Sequence, residues 1–316
     1  MTAEAPIGSV AVSLMLLDSA SLYFRTFYGV PDTVVAPDGT PVNAARGFID
    51  AIATLVRTRR PTELVACWDD DWRPAFRVEA IPSYKAHRVV EDEPELGDTP
   101  DGLGHQVPII AALLEAAGIC RLGSPGFEAD DVIGTLATQA SGAVDVVTGD
   151  RDLFQLVRDD QPIRVLYTAK GLGNLESVDE AWITAKYGIP GQAYADYAVL
   201  RGDPSDGLPG VKGIGDKTAA ALILAYGSVD GIIAAARGRA TPTGALTAGV
   251  LRKLAAAVDY LAVAPQVVLV HRDCPLPDVT GTLPTTPADP ERLAELGTRW
   301  GLQSAINRLR EAFAWR

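Results

Sequence analysis

The chain has 316 residues, enough to bury a sizeable core as one large domain or as two. It shows no apolar run long enough to span a membrane and no signal-peptide pattern. Its three cysteines (Cys67, Cys120 and Cys274) are scattered without metal-ligand spacing, so a reducing, cytoplasmic setting is expected. The formal net charge of −12, taken globally, argues against a nucleic-acid partner, so the placement of the acidic residues matters first.

Residues 1–11 show no periodicity and read as a loose terminus. Residues 12–17 read as a first strand ending at Asp18, and residues 64–68 as a second ending at Asp69. Between them, Tyr23, Phe24, Arg25 and Phe27 form an aromatic-basic group. It is either core aromatics with a solvated Arg, or Arg25 on a phosphate with a ring stacked on a displaced base. Residues 43–59 form an amphipathic helix burying Ala44, Phe48, Ile52 and Leu55. Residues 72–104 are rich in Pro, Gly and charge, with Arg73, Arg77, Lys85 and Arg88, then an acidic block of Glu91, Asp92, Glu93, Glu95, Asp98 and Asp101. Segments this long without periodicity are functional or disordered.

A helix over 107–117 stops at Gly118, and a strand at 119–122 leads to Glu128, Asp130 and Asp131. These three fall in the first turn of the next helix, where the dipole favours negative charge, so capping alone explains them locally. A strand at 144–147 runs into Thr148-Gly149-Asp150-Arg151-Asp152, with a short helical piece at 152–157 and a strand at 163–167. Helices at 181–187 and 194–200 carry the chain to a turn holding Asp203 and Asp206. Gly210, Gly213 and Gly215 then punctuate a tight loop before a helix opened by Asp216-Lys217-Thr218. Glycines allow close backbone approach and the helix start presents free N–H groups, which together suit a phosphate. Residues 228–263 read as Ala-rich helix broken at 238–244, 267–270 as a late strand, 275–290 as a linker or irregular wrap, and 291–313 as one or two helices.

Short apolar runs alternating with helices predict an α/β fold with a mostly parallel sheet, whose functional crevice lies beyond the strand carboxyl ends. Several strand ends each deliver an Asp to that edge. Carboxylates packed so closely repel one another and need cations, and hard oxygen donors suit Mg²⁺ or Mn²⁺. Nine clustered acidic residues (Asp18, Asp69, Glu128, Asp130, Asp131, Asp150, Asp152, Asp203 and Asp206) account for most of the excess negative charge.

Seven motifs stand in the order found in bacterial 5′-nucleases. They are Asp18 with Tyr23-Phe24-Arg25-Thr26-Phe27, Cys67-Trp68-Asp69, Phe76-Arg77-Val78-Glu79, Tyr84-Lys85-Ala86-His87-Arg88, Phe127-Glu128-Ala129-Asp130-Asp131, Thr148 to Asp152, and residues 202–215. From about Met15 to about Leu276 the chain resembles the flap endonucleases and the 5′-nuclease domain of bacterial DNA polymerase I. The resemblance implies a PIN-like nuclease core over 1–190, with helices on both sheet faces and a helical arch at about 72–104. It further implies a helical DNA-binding part over 191–316 with a helix-turn-helix at about 207–227.

By the same resemblance, Asp18, Asp69, Glu128, Asp130 and Asp150 serve one metal, directly or through water, and Asp150, Asp152 and Asp206 serve a second. Asp131 and Asp203 stand in an outer shell or support a further metal. Arg77 and Lys85, with Arg88, hold phosphate near the metals. Arg25 contacts phosphate, while Tyr23 and Phe24 remain open. Gly210, Lys212, Gly213, Gly215, Lys217 and Thr218 hold duplex DNA, and their loop can also take K⁺. Gly207 departs from the family, which commonly has Asn there, and the acidic block departs from a basic arch.

The implied activity is hydrolysis of DNA at 5′ flaps, 5′ overhangs, nicks or 5′ ends, in replication and repair, by a monomer. No polymerase-sized region follows, so the nuclease is expected to stand alone. No histidine is placed as a general base (His87 lies in the arch, His105 and His271 are isolated), so the ions are expected to activate the water. Two rivals are a small clustered-Asp ribonuclease, which the helix-turn-helix loop disfavours, and a non-catalytic DNA-structure-binding protein, which the retained carboxylates disfavour. A purely structural acidic protein has no need of ordered carboxylates at strand ends.

Overall fold

The computed structural model describes residues 14–89, 99–100, 102–239, 241 and 244–315. The acidic block of the arch and the start of the expected first strand lie outside them. Six strands form one sheet in the order β3-β2-β1-β4-β5-β6: β1 Leu14–Asp18, β2 Glu63–Cys67, β3 Cys120–Leu122, β4 Val144–Thr148, β5 Ile163–Tyr167 and β6 Glu176–Val178. The first five are parallel, and β6 adds an antiparallel edge along β5.

The chain lays β2 and β3 on one side of β1 and β4 on the other, so the connection reverses direction beside β1. In open α/β sheets that switch point opens a crevice at the strand carboxyl ends. Asp18 ends β1, and Asp150 follows β4 by two residues. β1 is buried at every position because strands flank both its edges and helices cover both its faces.

The helices are α1 Ser19–Gly29, α2 Asn43–Arg59, α3 Ala75–Ala80, α4 Gln106–Ala117, α5 Ala129–Gln139, α6 Glu180–Tyr187, α7 Tyr194–Arg201, α8 Asp216–Tyr226, α9 Val229–Ala236, α10 Ala248–Ala256, α11 Val258–Val268, α12 Pro290–Arg299 and α13 Gln303–Ala312. Alternation along the strands divides the core in two. Met15, Leu17, Leu64 and Ala66 face a layer with Phe48, Ile52, Leu113, Leu293 and Ile306. Leu16, Val65, Val146 and Val165 face the opposite layer with Val132, Phe154, Tyr197 and Val267. The last two helices return to the nuclease core, α13 on α2 and α12 on α4, and Arg308 grips Asp50 of α2 with two bonds of 2.8 and 2.9 Å.

The expected strand at 267–270 is not formed. Val267 and Val268 close α11, where Leu261, Ala264 and Val268 repeat at helical spacing on its buried face. A short apolar run carries no period of its own, and here the preceding helix claims it. Among the described residues no single helix is long and apolar enough to cross a membrane.

Candidate active site

Three strand ends and one helix start bring carboxylates to a single cavity of about 520 Å³, lined by Asp18, Asp69, Glu128, Asp130 and Asp150 together with Lys85 and Arg88. Asp18 caps α1: its Oδ1 accepts from the Ser21 N–H at 3.0 Å, and its Oδ2 accepts from the Thr148 hydroxyl at 2.6 Å. That hydroxyl also accepts from the Asp150 N–H at 2.8 Å, so Thr148 locks the ends of β1 and β4 together. Asp69 Oδ1 accepts from the Ala129 N–H at 2.7 Å, tying the end of β2 to the start of α5. Glu128 caps α5, and its Oε1 accepts from the Tyr84 hydroxyl at 2.7 Å while Lys85 Nζ donates to Oε2.

Burial and crowding make these acids reluctant to ionise together. Burial, with the charges of Asp69 and Asp150, pushes the Asp18 carboxyl up to about 7, against the Thr148 and Ser21 hydrogen bonds. Burial and the Glu128 charge push Asp69 up to about 6. Asp130 is raised well above the ordinary carboxylate range by burial and by Asp150 and Asp18. Burial is the largest single influence on the Lys85 ammonium and lowers it, but Glu128 together with Tyr84, Asp206 and Asp69 outweighs burial and holds the lysine well above its ordinary value.

A second carboxylate group adjoins the first across Asp150. The Asp152 N–H donates to Asp150 Oδ1 at 2.8 Å, and burial together with Asp150, Asp206 and Asp203 raises Asp152 well above its ordinary range. Asp206 is raised by burial despite Arg88, whose guanidinium lies 2.9 Å from Oδ1.

The arrangement has relatives. The family described as the 5′-3′ exonuclease N-terminal resolvase-like domain matches residues 13–188, and the 5′-3′ exonuclease C-terminal SAM fold matches residues 189–291. The chain belongs to the 5′-3′ exonuclease family. It is 57% identical to a 5′-3′ exonuclease of Streptomyces coelicolor, over 93% of this chain and 98% of that protein. It is 52% identical to one of Mycobacterium tuberculosis, over 95% and 97%. DNA polymerase I of Mycobacterium tuberculosis matches at 44% identity over 73% of this chain and 25% of the polymerase. Among solved structures, the T5 D15 protein co-crystallized with metal ions superposes with a TM-score of 0.62 at 17% identity, covering 96% of this chain and 98% of that one. The catalytic core of Rad2 in complex with DNA substrate superposes with a TM-score of 0.58 at 18% identity, covering 96% and 93%. At those identities the likeness is one of fold.

Within this member of the 5′-3′ exonuclease family, four of the nine acids (Asp131, Asp152, Asp203 and Asp206) do not line that cavity. Asp131 is fully buried, and its two oxygens accept two bonds from Arg77 (2.7 and 2.6 Å), one from the His271 N–H (2.9 Å) and one from the Glu128 N–H (3.2 Å). Every lone-pair site it can use is occupied, so of the two places the resemblance left open for it, a direct metal ligand is corrected and an outer-shell place is compatible. Asp203 caps the turn Pro204–Asp206, with Oδ1 accepting from the Ser205 N–H at 2.9 Å and from the Ser205 hydroxyl.

Arg77 as a phosphate contact is corrected for the same reason. It is 2% exposed, its Nε donates to the Val267 carbonyl at 3.0 Å, and its guanidinium lies 3.3 Å from Glu128. It stands behind Glu128 and holds the site in place. Lys85 and Arg88 do reach the cavity. Arg25 lies on α1 and lines a separate cavity of about 880 Å³ with Ser21, Phe24 and Gly149.

Residues 83–85 dock on the Asp206 turn. Lys85 N–H donates to the Asp206 carbonyl at 3.0 Å, and the Ser83 hydroxyl donates to the Gly207 carbonyl at 2.9 Å. Gly207 has φ 73°, and a Cβ there would stand 2.2 Å from the Ser83 carbonyl oxygen. That contact gives the departure at Gly207 a physical reason. Gly207→Ala is expected to cost about 1–3 kcal/mol through left-handed backbone strain and forced displacement of Ser83. Chemical denaturation checks it, and an unchanged midpoint would contradict the close contact.

In the helix-turn-helix loop, Lys212, Gly213, Gly215 and Lys217 are exposed, Thr218 is half-buried and Gly210 is buried. Gly210 (φ 64°) packs so that a Cβ would lie 2.4 Å from the Arg201 carbonyl oxygen, which makes its role one of packing. Lys253 of α10 donates to the Gly213 carbonyl at 2.7 Å. The sequence reading assigned Thr148, which opens the motif from Thr148 to Asp152, no role of its own and did not mark Lys253: each acts across the fold.

Proposed function

We propose that this 5′-3′ exonuclease is a structure-specific, divalent-metal-dependent nuclease that hydrolyses DNA phosphodiesters at 5′ flaps and 5′ ends. The observation that carries the reading is the single cavity shared by Asp18, Asp69, Glu128, Asp130 and Asp150, crowded enough to hold three carboxyls above their ordinary values. All its donors are hard oxygens. Hard carboxylate oxygens suit a hard divalent cation such as Mg²⁺ or Mn²⁺. Asp18, Asp69, Glu128, Asp130 and Asp150 would hold one ion, and Asp150, Asp152 and Asp206 a second. Bound there, the ions supply the charge that activates water and steadies the attacking and leaving oxygens of an in-line displacement.

The chain's own residues set up the reaction. Lys85, paired with Glu128 and facing the cavity, keeps a fixed positive charge at the scissile phosphate. Arg88 bridges to Asp206, so the arch base and the second carboxylate group are held in one geometry. Tyr23, Phe24, Trp68 and Trp72 line the same cavity and offer stacking faces to unpaired bases. Arg25, and the loop residues Lys212, Gly213, Gly215, Lys217 and Thr218, are the backbone-phosphate contacts, and the loop would hold K⁺, which would supply further positive charge there. The test is a panel of 5′-flapped, 3′-flapped and blunt duplexes with Mn²⁺. Preferred incision of the 5′ flap supports the reading, and equal rates on all three contradict it.

The pKa directions fix a pH dependence. Asp18 and Asp69 bind protons more tightly in the folded protein than unfolded, so the folded state holds more protons between about pH 4 and 7 and stability falls as pH rises through that window. The metal-free protein is expected to melt at a lower temperature at pH 8 than at pH 5.5. Millimolar Mn²⁺ is expected to shrink the difference, because the ion replaces the proton. Thermal melts with EDTA and with Mn²⁺ check this, and a metal-free melting point that rises with pH would contradict it.

A further inference from the structure

The turn that carries Asp150 and Asp152 has a second face. Asp150 looks into the carboxylate cavity, while Arg151 lines a separate cleft of about 600 Å³ framed by α6, α7 and α8. Four cations line this cleft: Arg151, Lys186, Arg201 and Lys217. In a chain with 40 acidic and 28 basic residues, surface cations ordinarily find carboxylates nearby, yet Arg151, Lys186 and Lys217 make no ion pair with any described acid.

The other wall groups leave the cleft's positive charge free. Lys186 holds its ammonium 4.3 Å from the Trp182 ring centroid, an arrangement that fixes the side chain without neutralising it. Arg201 approaches Asp203 and Asp216 only to 3.7 and 3.9 Å, and its Nε is buried with no hydrogen-bond partner. Asp216, the carboxylate on the cleft wall, already accepts from the Tyr197 hydroxyl at 2.8 Å. Ala220 and Ala221 make the α8 wall low and smooth, and Leu224 beside them is 66% exposed.

From this we infer that the cleft between α6, α7 and α8 binds the sugar-phosphate backbone of duplex DNA flanking the incision site, with Arg151, Lys186 and Arg201 as phosphate contacts in addition to Lys217. This rests on the nuclease reading and extends it. Neighbouring residues of one turn line the carboxylate cavity (Asp150) and the cleft (Arg151), so DNA held in the cleft is registered against Asp150. A strand passing Arg151, Lys186 and Lys217, which pair with no described acid, gains affinity by counterion release without reading sequence. The small apolar side chains of α8 let the deoxyribose edge approach.

The test compares the wild type with Lys186→Gln, Arg151→Gln and the double variant, and with Lys170→Gln as a control. Lys170 is exposed, pairs with Glu176 and does not line the cleft. Binding of a 5′-flapped duplex and of a single strand is measured by fluorescence anisotropy in EDTA over a salt series, with incision at saturating DNA measured in Mn²⁺. The double variant is expected to bind the duplex about tenfold more weakly, with a salt slope shallower by about 1 to 2. Single-strand binding is expected to change less than twofold, and Lys170→Gln to bind and cut the 5′-flapped duplex as the wild type does. Unchanged duplex affinity and salt slope in the double variant would overturn the cleft, as would an equal loss for the single strand and the duplex. A wild type that neither prefers nor cuts the 5′ flap would overturn the nuclease reading instead, whatever the cleft variants do.

Discussion

Asp150→Asn is expected to slow incision of a 5′ flap by roughly two to three orders of magnitude or more while leaving the fold intact, because it weakens both carboxylate groups at once. Asp150 lines the cavity with Asp18 and Asp130, and its Oδ1 accepts the Asp152 N–H. It is the residue the two groups share. Asparagine keeps the shape and the accepting oxygen, so the turn between β4 and the following helical piece has no reason to rearrange. It removes the charge that helps raise Asp18, Asp130 and Asp152. Without metal the variant is therefore expected to melt at or above the wild-type temperature. Single-turnover rates with a parallel melt separate the outcomes. Wild-type rates in a folded variant would remove Asp150 from the chemistry.

Arg77→Ala is expected to destabilise the protein by about 3–5 kcal/mol, since removing one partner of a buried pair strands the other charge. Here it strands Asp131, which is fully buried, and takes a cation 3.3 Å from Glu128. The melting temperature is expected to fall on the order of 10 °C. Arg77→Lys separates the pillar from a phosphate contact. Lysine keeps the positive charge but cannot reproduce the two-pronged grip on Asp131 together with the bond to the Val267 carbonyl. A pillar predicts lower stability with unchanged DNA affinity in the folded fraction. A phosphate contact predicts weaker DNA binding at unchanged stability.

The parts of this molecule that sequence made legible are those written in local periodicity. The helix over Asn43–Arg59 announces itself by its apolar stripe, and the parallel strands by short apolar runs that end in Asp. The gathering of Asp18, Asp69, Glu128, Asp130 and Asp150 was legible because strand ends in such a sheet share one edge. The errors came where side chains of one type divide between facing the cavity and facing the core. Asp130 and Asp131 are adjacent on α5, so the helix turns one into the cavity and the other into the protein, and no residue type records which. The resemblance puts Arg77 on a phosphate, and its burial was not legible because it depends on α11 and α5 closing over it. The run at 267–270 fits either strand or helix end, and only α11's packing decides it.

The most direct test is a Mn²⁺ titration of incision on a 5′-flapped duplex, begun in EDTA and followed to saturation at fixed pH and ionic strength. No incision in EDTA, with a rate that climbs with Mn²⁺ and products cut near the flap junction, is the predicted result. Incision that persists in EDTA, or tight flap binding with no incision at any Mn²⁺ concentration, would contradict a metal-dependent nuclease built on these carboxylates.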